Sequence, residues 1–343
     1  MHRRRLLARL AALAALPAAA RAQGFAGLGQ GGGGFALPDP ATVLRFPADH
    51  GPHPAFRIEW WYLTAVLRGA DGRDHGVQWT LFRSALGPGG PQAWMAHLGI
   101  TTPDRHHSGE RLARGGVGQA GVVAAPFDAW LDDWRLHGPS PDALTLSART
   151  AEAGYDLSLT ARGPLVLHGE AGFSVKSDGG VASHYYSQPF YEVSGTLHLP
   201  EGPLAVEGRG WLDREWSSEP LEADQDGWDW FSLHLDDGHR LMAFQLRGGS
   251  PFDYASWIAP DGTVTPHYGD LVLEPLATAR VAGRDVPVRW RLALPPRGVD
   301  LELAAVNPDS WQGTLFPYWE GPVTGGGTHD ARGYLEMTGY APA

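Results

Sequence analysis

Tyr155-Asp156-Leu157-Ser158-Leu159-Thr160 alternates apolar and polar side chains one by one. Successive side chains of an extended chain point to opposite faces, so this run reads as a half-buried β-strand. The same period recurs in Val77-Gln78-Trp79-Thr80-Leu81, Val193-Ser194-Gly195-Thr196-Leu197, Val288-Arg289-Trp290-Arg291-Leu292 and Leu301-Glu302-Leu303. Between such runs, Asp71-Gly72, Asp178-Gly179, Asp237-Gly238 and Asp261-Gly262 supply the left-handed backbone that tight hairpins need. Gly and Pro, 46 and 28 of 343 residues, follow no three-residue period, which excludes collagen and favours frequent chain reversal over long helices. The fold class is mostly β, built from antiparallel meanders.

A weak internal repeat divides the chain. Trp61-Tyr62-Leu63-Thr64 leads through Asp71-Gly72 to Gln78 and Arg83, and Trp230-Phe231-Ser232-Leu233 leads through Asp237-Gly238 to Gln245 and Arg247. Both read as opening hairpins. Residues 46–343 number 298, and half of that suits a closed barrel of roughly eight to ten strands, so two tandem barrels are expected. The boundary is placed near Ser218, giving domains 46–218 and 219–343. A barrel of that size has room for one small ligand when its inward positions are apolar and aromatic. The 14 Trp residues can line such a cavity or simply fill the core.

The amino-terminal end reads as an address. Arg3, Arg4 and Arg5 precede an apolar run from Leu6 to Ala20 that closes on Ala20-Arg21-Ala22, so residues 1–22 are expected to be a signal peptide cleaved after Ala22. Arg3-Arg4-Arg5-Leu6-Leu7 fits a twin-arginine pattern and an ordinary secretory signal alike; either sends the protein to the periplasm or outside the cell. The run is short for a membrane span, and no transmembrane segment is expected in the mature chain. Residues 23–45 hold Gly27-Leu28-Gly29-Gln30-Gly31-Gly32-Gly33-Gly34, with no strand before and no helix after, and read as a flexible Gly-rich leader rather than a dinucleotide loop.

Charge and composition exclude several function classes. Removing the five Arg of residues 1–22 leaves 22 basic against 38 acidic residues, about −16, which repels nucleic acid and anionic membranes. The absence of Cys excludes disulfides, thiolate metal sites and a cysteine nucleophile. Lys176 is the only lysine, so a Walker-type phosphate loop has no candidate. His106-His107 sits in a polar stretch, His50 and His53 are followed by Pro54 rather than a helix, no H-E-x-x-H occurs, and no metal is expected. No serine sits in a G-x-S-x-G turn.

The densest cluster of unusual residues is Ser183-His184-Tyr185-Tyr186-Ser187-Gln188-Pro189, Gly210-Trp211-Leu212-Asp213-Arg214-Glu215-Trp216-Ser217-Ser218 and Gly227-Trp228-Asp229-Trp230-Phe231. Strand alternation sends His184 and Tyr186 to one face, and Trp211 and Asp213 to one face. If both faces look inward, four reactive groups share a cavity. There an Asp loses hydration and holds its proton at neutral pH, as a general acid must. The alternatives remain open: Asp213-Arg214-Glu215 as a solvated turn, and His184 as a hydrogen-bonded core residue. Asp213, Glu215 or Glu59 would serve a carboxylate-pair glycosidase. Glu59, before Trp60-Trp61-Tyr62, reads as a buried anchor paired with Arg83 or Arg247, or as a ligand gate; Glu320 and Glu336 receive the same anchor reading.

Longer blocks carry a resemblance. Asp49-His50-Gly51, His53-Pro54, Glu59-Trp60-Trp61-Tyr62, Tyr185-Tyr186-Ser187, Trp211-Leu212-Asp213, Glu215-Trp216-Ser217-Ser218, Tyr318-Trp319-Glu320-Gly321 and Gly333-Tyr334-Leu335-Glu336-Met337-Thr338-Gly339-Tyr340 resemble, in order, the AttH-like proteins. Those are often labelled secreted hydrolases and are related to carotenoid 1,2-hydratase (hydroxyneurosporene synthase). The resemblance spans about Phe46 to Tyr340 and implies two lipocalin-like domains. It also implies a catalytic set: carotenoid hydratases place a His and an aromatic two apart, then an aromatic and an Asp two apart, matched here by His184, Tyr186, Trp211 and Asp213. Tyr186 stands where those hydratases have Trp, and Trp211 where they have Tyr. The implied chemistry is cofactor-free. Asp213 protonates an alkene, Trp211 and Tyr186 steady the cation, and His184 handles the attacking water. Tyr185, Trp216, Trp228, Trp230, Trp61 and Tyr62 are the rings expected to bind a hydrophobic isoprenoid or lipid. Two other functions stay open: a lipophilic-ligand carrier associated with an ABC transport system, and an ester or glycoside hydrolase.

Overall fold

The computed structural model describes residues 33–342, so the expected signal peptide and the leader up to residue 32 lie outside the described residues. Residues 33–45 form no helix or strand. They are tied down by hydrogen bonds from Ala36 N to Ala55 O at 2.9 Å and from Ser218 Oγ to Ala36 O at 2.5 Å. Among the described residues no helix is long and apolar enough to cross a membrane.

The protein is nearly all β: two curled, nearly closed antiparallel sheets form barrel-like, lipocalin-like domains. The first sheet centres on strand Ile58–Gly69, which pairs with Asp74–Ala85 on one side and Gly202–Ser217 on the other. Gly202–Ser217 in turn pairs with Ala182–Leu199. The second sheet centres on Gln225–Leu235, paired with Arg240–Gly248 and with Ala331–Met337. The first sheet has thirteen strands among the described residues, more than the eight to ten expected, because short segments such as Val166–Leu167 and Phe173–Val175 add to it.

Alternation decides what each side chain meets. On Ile58–Gly69 the odd positions Trp61, Leu63, Ala65 and Leu67 enter the first barrel's core, which they share with Trp79, Trp134 and Tyr155. The even position Tyr62 instead joins a cluster with Tyr185, Trp211, Trp230 and Phe244, where the outer face of one barrel meets the other. Tyr155–Thr160 is half-buried as expected, with Asp156, Ser158 and Thr160 exposed. Val77–Leu81 is not: Gln78 and Thr80 are buried too, because the second barrel covers them and Gln78 reaches Tyr318 and Gln312. The expected turn glycines Gly72, Gly238 and Gly262 have φ of +74°, +93° and +87°, whereas after Asp178 the left-handed residue is Gly180 rather than Gly179.

Glu59 is the anchor of the first barrel. Fully buried, it binds Arg83 Nε and Arg214 Nη2, and His53 N donates to both its oxygens at 3.0 Å. Arg83 was one of its two expected partners; the other, Arg247, pairs instead with Asp229 at 2.9 Å. The Arg214 guanidinium also stacks 3.9 Å from the Trp61 ring centre and donates to Gly51 O at 2.6 Å. Three strands and the 50–56 segment are thereby cross-linked. Burial alone would push Glu59 up, but Arg214, His53 and Arg83 hold its carboxyl down to about 2.

Replacing Glu59 with Gln strands two buried guanidinium groups, so E59Q is expected to lose about 3–5 kcal/mol in urea unfolding. The carboxylate's contribution is complete above an unfolded pKa of about 4.3 and vanishes as pH falls toward 2, so the gap between wild type and E59Q closes over that window.

Candidate functional site

The seam between the barrels encloses a cavity of about 90 Å³. That is room for roughly six waters, or a guest of about ten non-hydrogen atoms. The first barrel contributes Trp60, Tyr62, Tyr185, Asp213, Glu215 and Lys176; the second contributes Trp228, Trp230, Phe244, Phe316 and Glu336. The wall is mostly aromatic rings, with three carboxyl groups and one ammonium set into it.

Asp213 is 2% exposed and hydrogen-bonded on both oxygens. Trp211 Nε1 donates to Oδ1 at 2.6 Å, Ser187 Oγ donates to the same oxygen, and Tyr185 Oη donates to Oδ2 at 2.9 Å. Burial nevertheless pushes the carboxyl up to about 7: desolvation outweighs the three donors, and the charge of Glu215 adds to it. Trp230 Nε1 lies 3.2 Å from Tyr185 Oη, so the second barrel supports the same group.

Behind Ser187 a polar chain crosses the seam. His168 Nε2 lies 2.6 Å from Ser187 Oγ and its Nδ1 lies 2.8 Å from Ser256 Oγ. Tyr254 Oη is 2.7 Å from Ser256 Oγ and accepts from Gly169 N at 2.8 Å. Burial, then Lys176, lowers His168 to about 3, so the ring is neutral. Since Ser187 gives its only proton to Asp213, the network assigns the His168 proton to Nε2. Every hydroxyl in the chain then donates toward Asp213.

Across the cavity, Trp228 Nε1 donates to Glu336 Oε1 at 2.6 Å. Burial raises Glu336 to about 7, against the hydrogen bonds of Trp228 and Tyr62. Deeper in, Tyr62 Oη donates to Glu320; burial and then Glu336 push Glu320 well above the usual carboxylate range, against the hydrogen bonds of Tyr62 and Tyr318. The anchor reading therefore fails for Glu320 and Glu336. Both are buried, but they meet Tyr and Trp rather than Arg, and burial raises both.

The structure separates the four residues of the implied catalytic set. Alternation does pair His184 with Tyr186, and Trp211 with Asp213. Across the ladder, however, Tyr186 faces Arg214 and Ser187 faces Asp213, so the two pairs point to opposite sides of the sheet. His184 packs against Trp216 and Phe56, with ring centres 5.3 and 5.8 Å apart, and burial lowers it to about 4. Tyr186 Oη is 2.7 Å from His50 Nδ1. Trp61 and Trp216 share that face, stacked on Arg214 and His53, and are absent from the cavity wall. Tyr185, Tyr62, Trp228 and Trp230 do line it.

Sequence reasoning missed Trp60, Glu336 and Lys176 as wall residues and His168 as the histidine linked to Asp213. Trp60 was findable from alternation alone, since it stands two before Tyr62. Among the described residues no three His or carboxylate side chains gather closely enough to hold a metal ion.

A family model described as AttH-like matches residues 37–340. Among solved structures, an AttH-type protein of Nitrosomonas europaea is 34% identical with a TM-score of 0.82, over 90% of this chain and 100% of that one. Kievitone hydratase of Nectria haematococca is 15% identical with a TM-score of 0.66, over 90% and 96%. CghA is 14% identical with a TM-score of 0.52 over the same shares. The last two likenesses show the fold alone. No curated protein sequence matches the chain. With a family model spanning most of its length and a one-third-identical relative covered throughout, the chain belongs to the AttH-like family.

Proposed function

We propose that the protein is an exported, cofactor-free hydratase that adds water across a carbon–carbon double bond of a small hydrophobic guest, or of the end of a longer isoprenoid, held at the seam. The observation that carries this reading is Asp213, a cavity-lining carboxyl that favours its proton near neutral pH while three donors stand ready for its conjugate base. An acid so placed loses little on giving up its proton. Kievitone hydratase shares the fold, which agrees with this reading.

Asp213 protonates one alkene carbon, and the electron pair of the double bond forms the new C–H bond. The cation left on the neighbouring carbon faces Trp60, Trp228, Trp230 and Tyr62 of the wall. Each ring is worth on the order of 1–2 kcal/mol to a desolvated cation. Water then bonds to that carbon and gives its proton to a carboxylate. His184 lies on the wrong face for this step. Glu336, contributed by the second barrel and partly ionised near pH 7, takes the role, and proton exchange with Asp213 or solvent resets the site. The net change is the addition of one water molecule.

Methyl geranate, the methyl ester of a ten-carbon prenyl acid with a trisubstituted terminal alkene, is the probe. In oxygen-18 water the wild type is expected to yield a labelled tertiary alcohol and D213N to lose at least about 100-fold in rate. An unlabelled, unchanged ester that co-purifies with the protein would indicate a carrier and sink the hydratase. D213N also has a stability signature. Folded Asp213 holds its proton to about pH 7, whereas the unfolded chain loses it near 4, so wild-type stability falls between those values. D213N is expected to be the more stable protein at pH 8 and to lack that fall.

One carboxyl must be protonated and its partner ionised, and both titrate near 7. The kcat/KM profile is therefore expected to be a narrow bell around neutrality, belonging to the pair. E336Q should remove its acid limb.

A further inference from the structure

The one lysine in 343 residues, Lys176, is 6% exposed and lines the cavity. Its backbone is fixed just after strand Phe173–Val175: Lys176 N donates to Val181 O at 2.7 Å, and Gln225 Nε2 donates to Lys176 O at 3.2 Å. The ammonium lies 3.1 Å from Glu215 Oε1, and 4.3 and 4.9 Å from the ring centres of Phe244 and Tyr185. An ammonium has three N–H donors. Glu215 offers Lys176 one oxygen, which Ser183 also uses, and ring faces attract a cation without replacing a full acceptor.

Resting on the reading of this cavity as a ligand site, we infer that Lys176 recognises an anionic oxygen, a carboxylate or phenolate, at the polar end of an otherwise apolar ligand. Two arguments support it. Burying an ammonium is costly, and a pair kept only to hold the seam together is often replaceable by apolar side chains without loss of stability. Arg, which supplies the other 26 of the 27 Lys and Arg side chains in this sequence, carries a broad planar fork; Lys carries a compact charge on a flexible stem that can turn from Glu215 to an incoming anion. Of the other charges on the wall, Glu215 is paired with Lys176 and a protonated Asp213 adds none, which leaves Glu336, when ionised, as the group an entering anion has to avoid.

The test compares geranate with methyl geranate, which share the prenyl body and differ in charge at one end, by quenching of tryptophan fluorescence. The wild type is expected to bind geranate about tenfold more tightly. The double variant K176M/E215Q, which leaves neither charge stranded, should bind both probes equally. E215Q alone frees the ammonium and should widen the preference for the acid. Equal binding of the two probes by the wild type, or a preference that survives K176M/E215Q, overturns the proposal while leaving the cavity reading intact. Failure of both probes to bind the wild type overturns the cavity reading, and the proposal falls with it. If the double variant does not fold, judged by near-ultraviolet dichroism, E215Q decides the matter: an unchanged preference overturns the proposal.

Discussion

One strand pair serves two cores, and its register is the constraint on which the rest depends. Ile58–Gly69 and Gly202–Ser217 lie side by side with Tyr62 opposite Asp213 and Trp61 opposite Arg214. Odd and even positions therefore enter different environments: Arg214 and Trp216 turn toward the first barrel, Asp213 and Glu215 toward the seam. A slip of one residue would exchange them, putting a guanidinium into the cavity and a carboxyl beside Glu59. Glu59 opposes such a slip, because it is fully buried and bonded to Arg83 on one neighbouring strand and Arg214 on the other. The ion cluster that holds the first barrel together is thus also what aims the candidate acid.

That acid is poised by opposing effects of similar size. Removal from water favours its neutral form, while Ser187, Trp211 and Tyr185 favour the carboxylate, and the balance lies near neutrality. The donors are themselves held from both barrels. Trp230 supports Tyr185, and the hydroxyls of Tyr254 and Ser256 orient His168, which orients Ser187. A neutral imidazole with one tautomer imposed on it is a fixed dipole rather than a shuttle. Its contribution is to keep the Ser187 proton directed at Asp213, so that little need reorganise when the carboxyl ionises.

The fold class was legible in the sequence because alternation survives wherever one face meets solvent, as in Tyr155–Thr160 and Leu301–Leu303. It weakened where both faces are buried. Gln78 and Thr80 look outward-facing in the sequence yet lie under the second barrel. Candidate residues were legible as types, and Asp213 did prove to be a buried carboxyl among rings. Their grouping was not, since alternation fixes parity within a strand but says nothing about which residue stands opposite on the next. Hence His184 and Tyr186 were placed with Asp213, whereas Tyr185 and Ser187 are the residues that touch it. Lys176 and His168 had no periodic signal at all. They lie in the irregular segment between strands, and only tertiary structure brings them to the seam.

The internal repeat gains a physical meaning once its phase is corrected. Matching Trp61 with Trp230 fails, because Trp61 enters a barrel core and Trp230 lies at the seam. Matching Glu59-Trp60-Trp61 with Asp229-Trp230-Phe231 succeeds: Trp61 and Phe231 enter their respective cores, Trp60 and Trp230 line the cavity, and the acids pair with Arg83 and Arg247. Each barrel thus opens on a buried acid–arginine pair followed by a tryptophan aimed at its neighbour. A barrel carrying such a ring on its outer face, beside Tyr62 or Trp228, would expose an apolar patch if it stood alone, and covering that patch drives the two together. Where the curved faces fail to mesh, the cavity remains. Its acid groups come from both sides, Asp213 from the first barrel and Glu336 from the second, so neither barrel alone carries the site and association is what creates it.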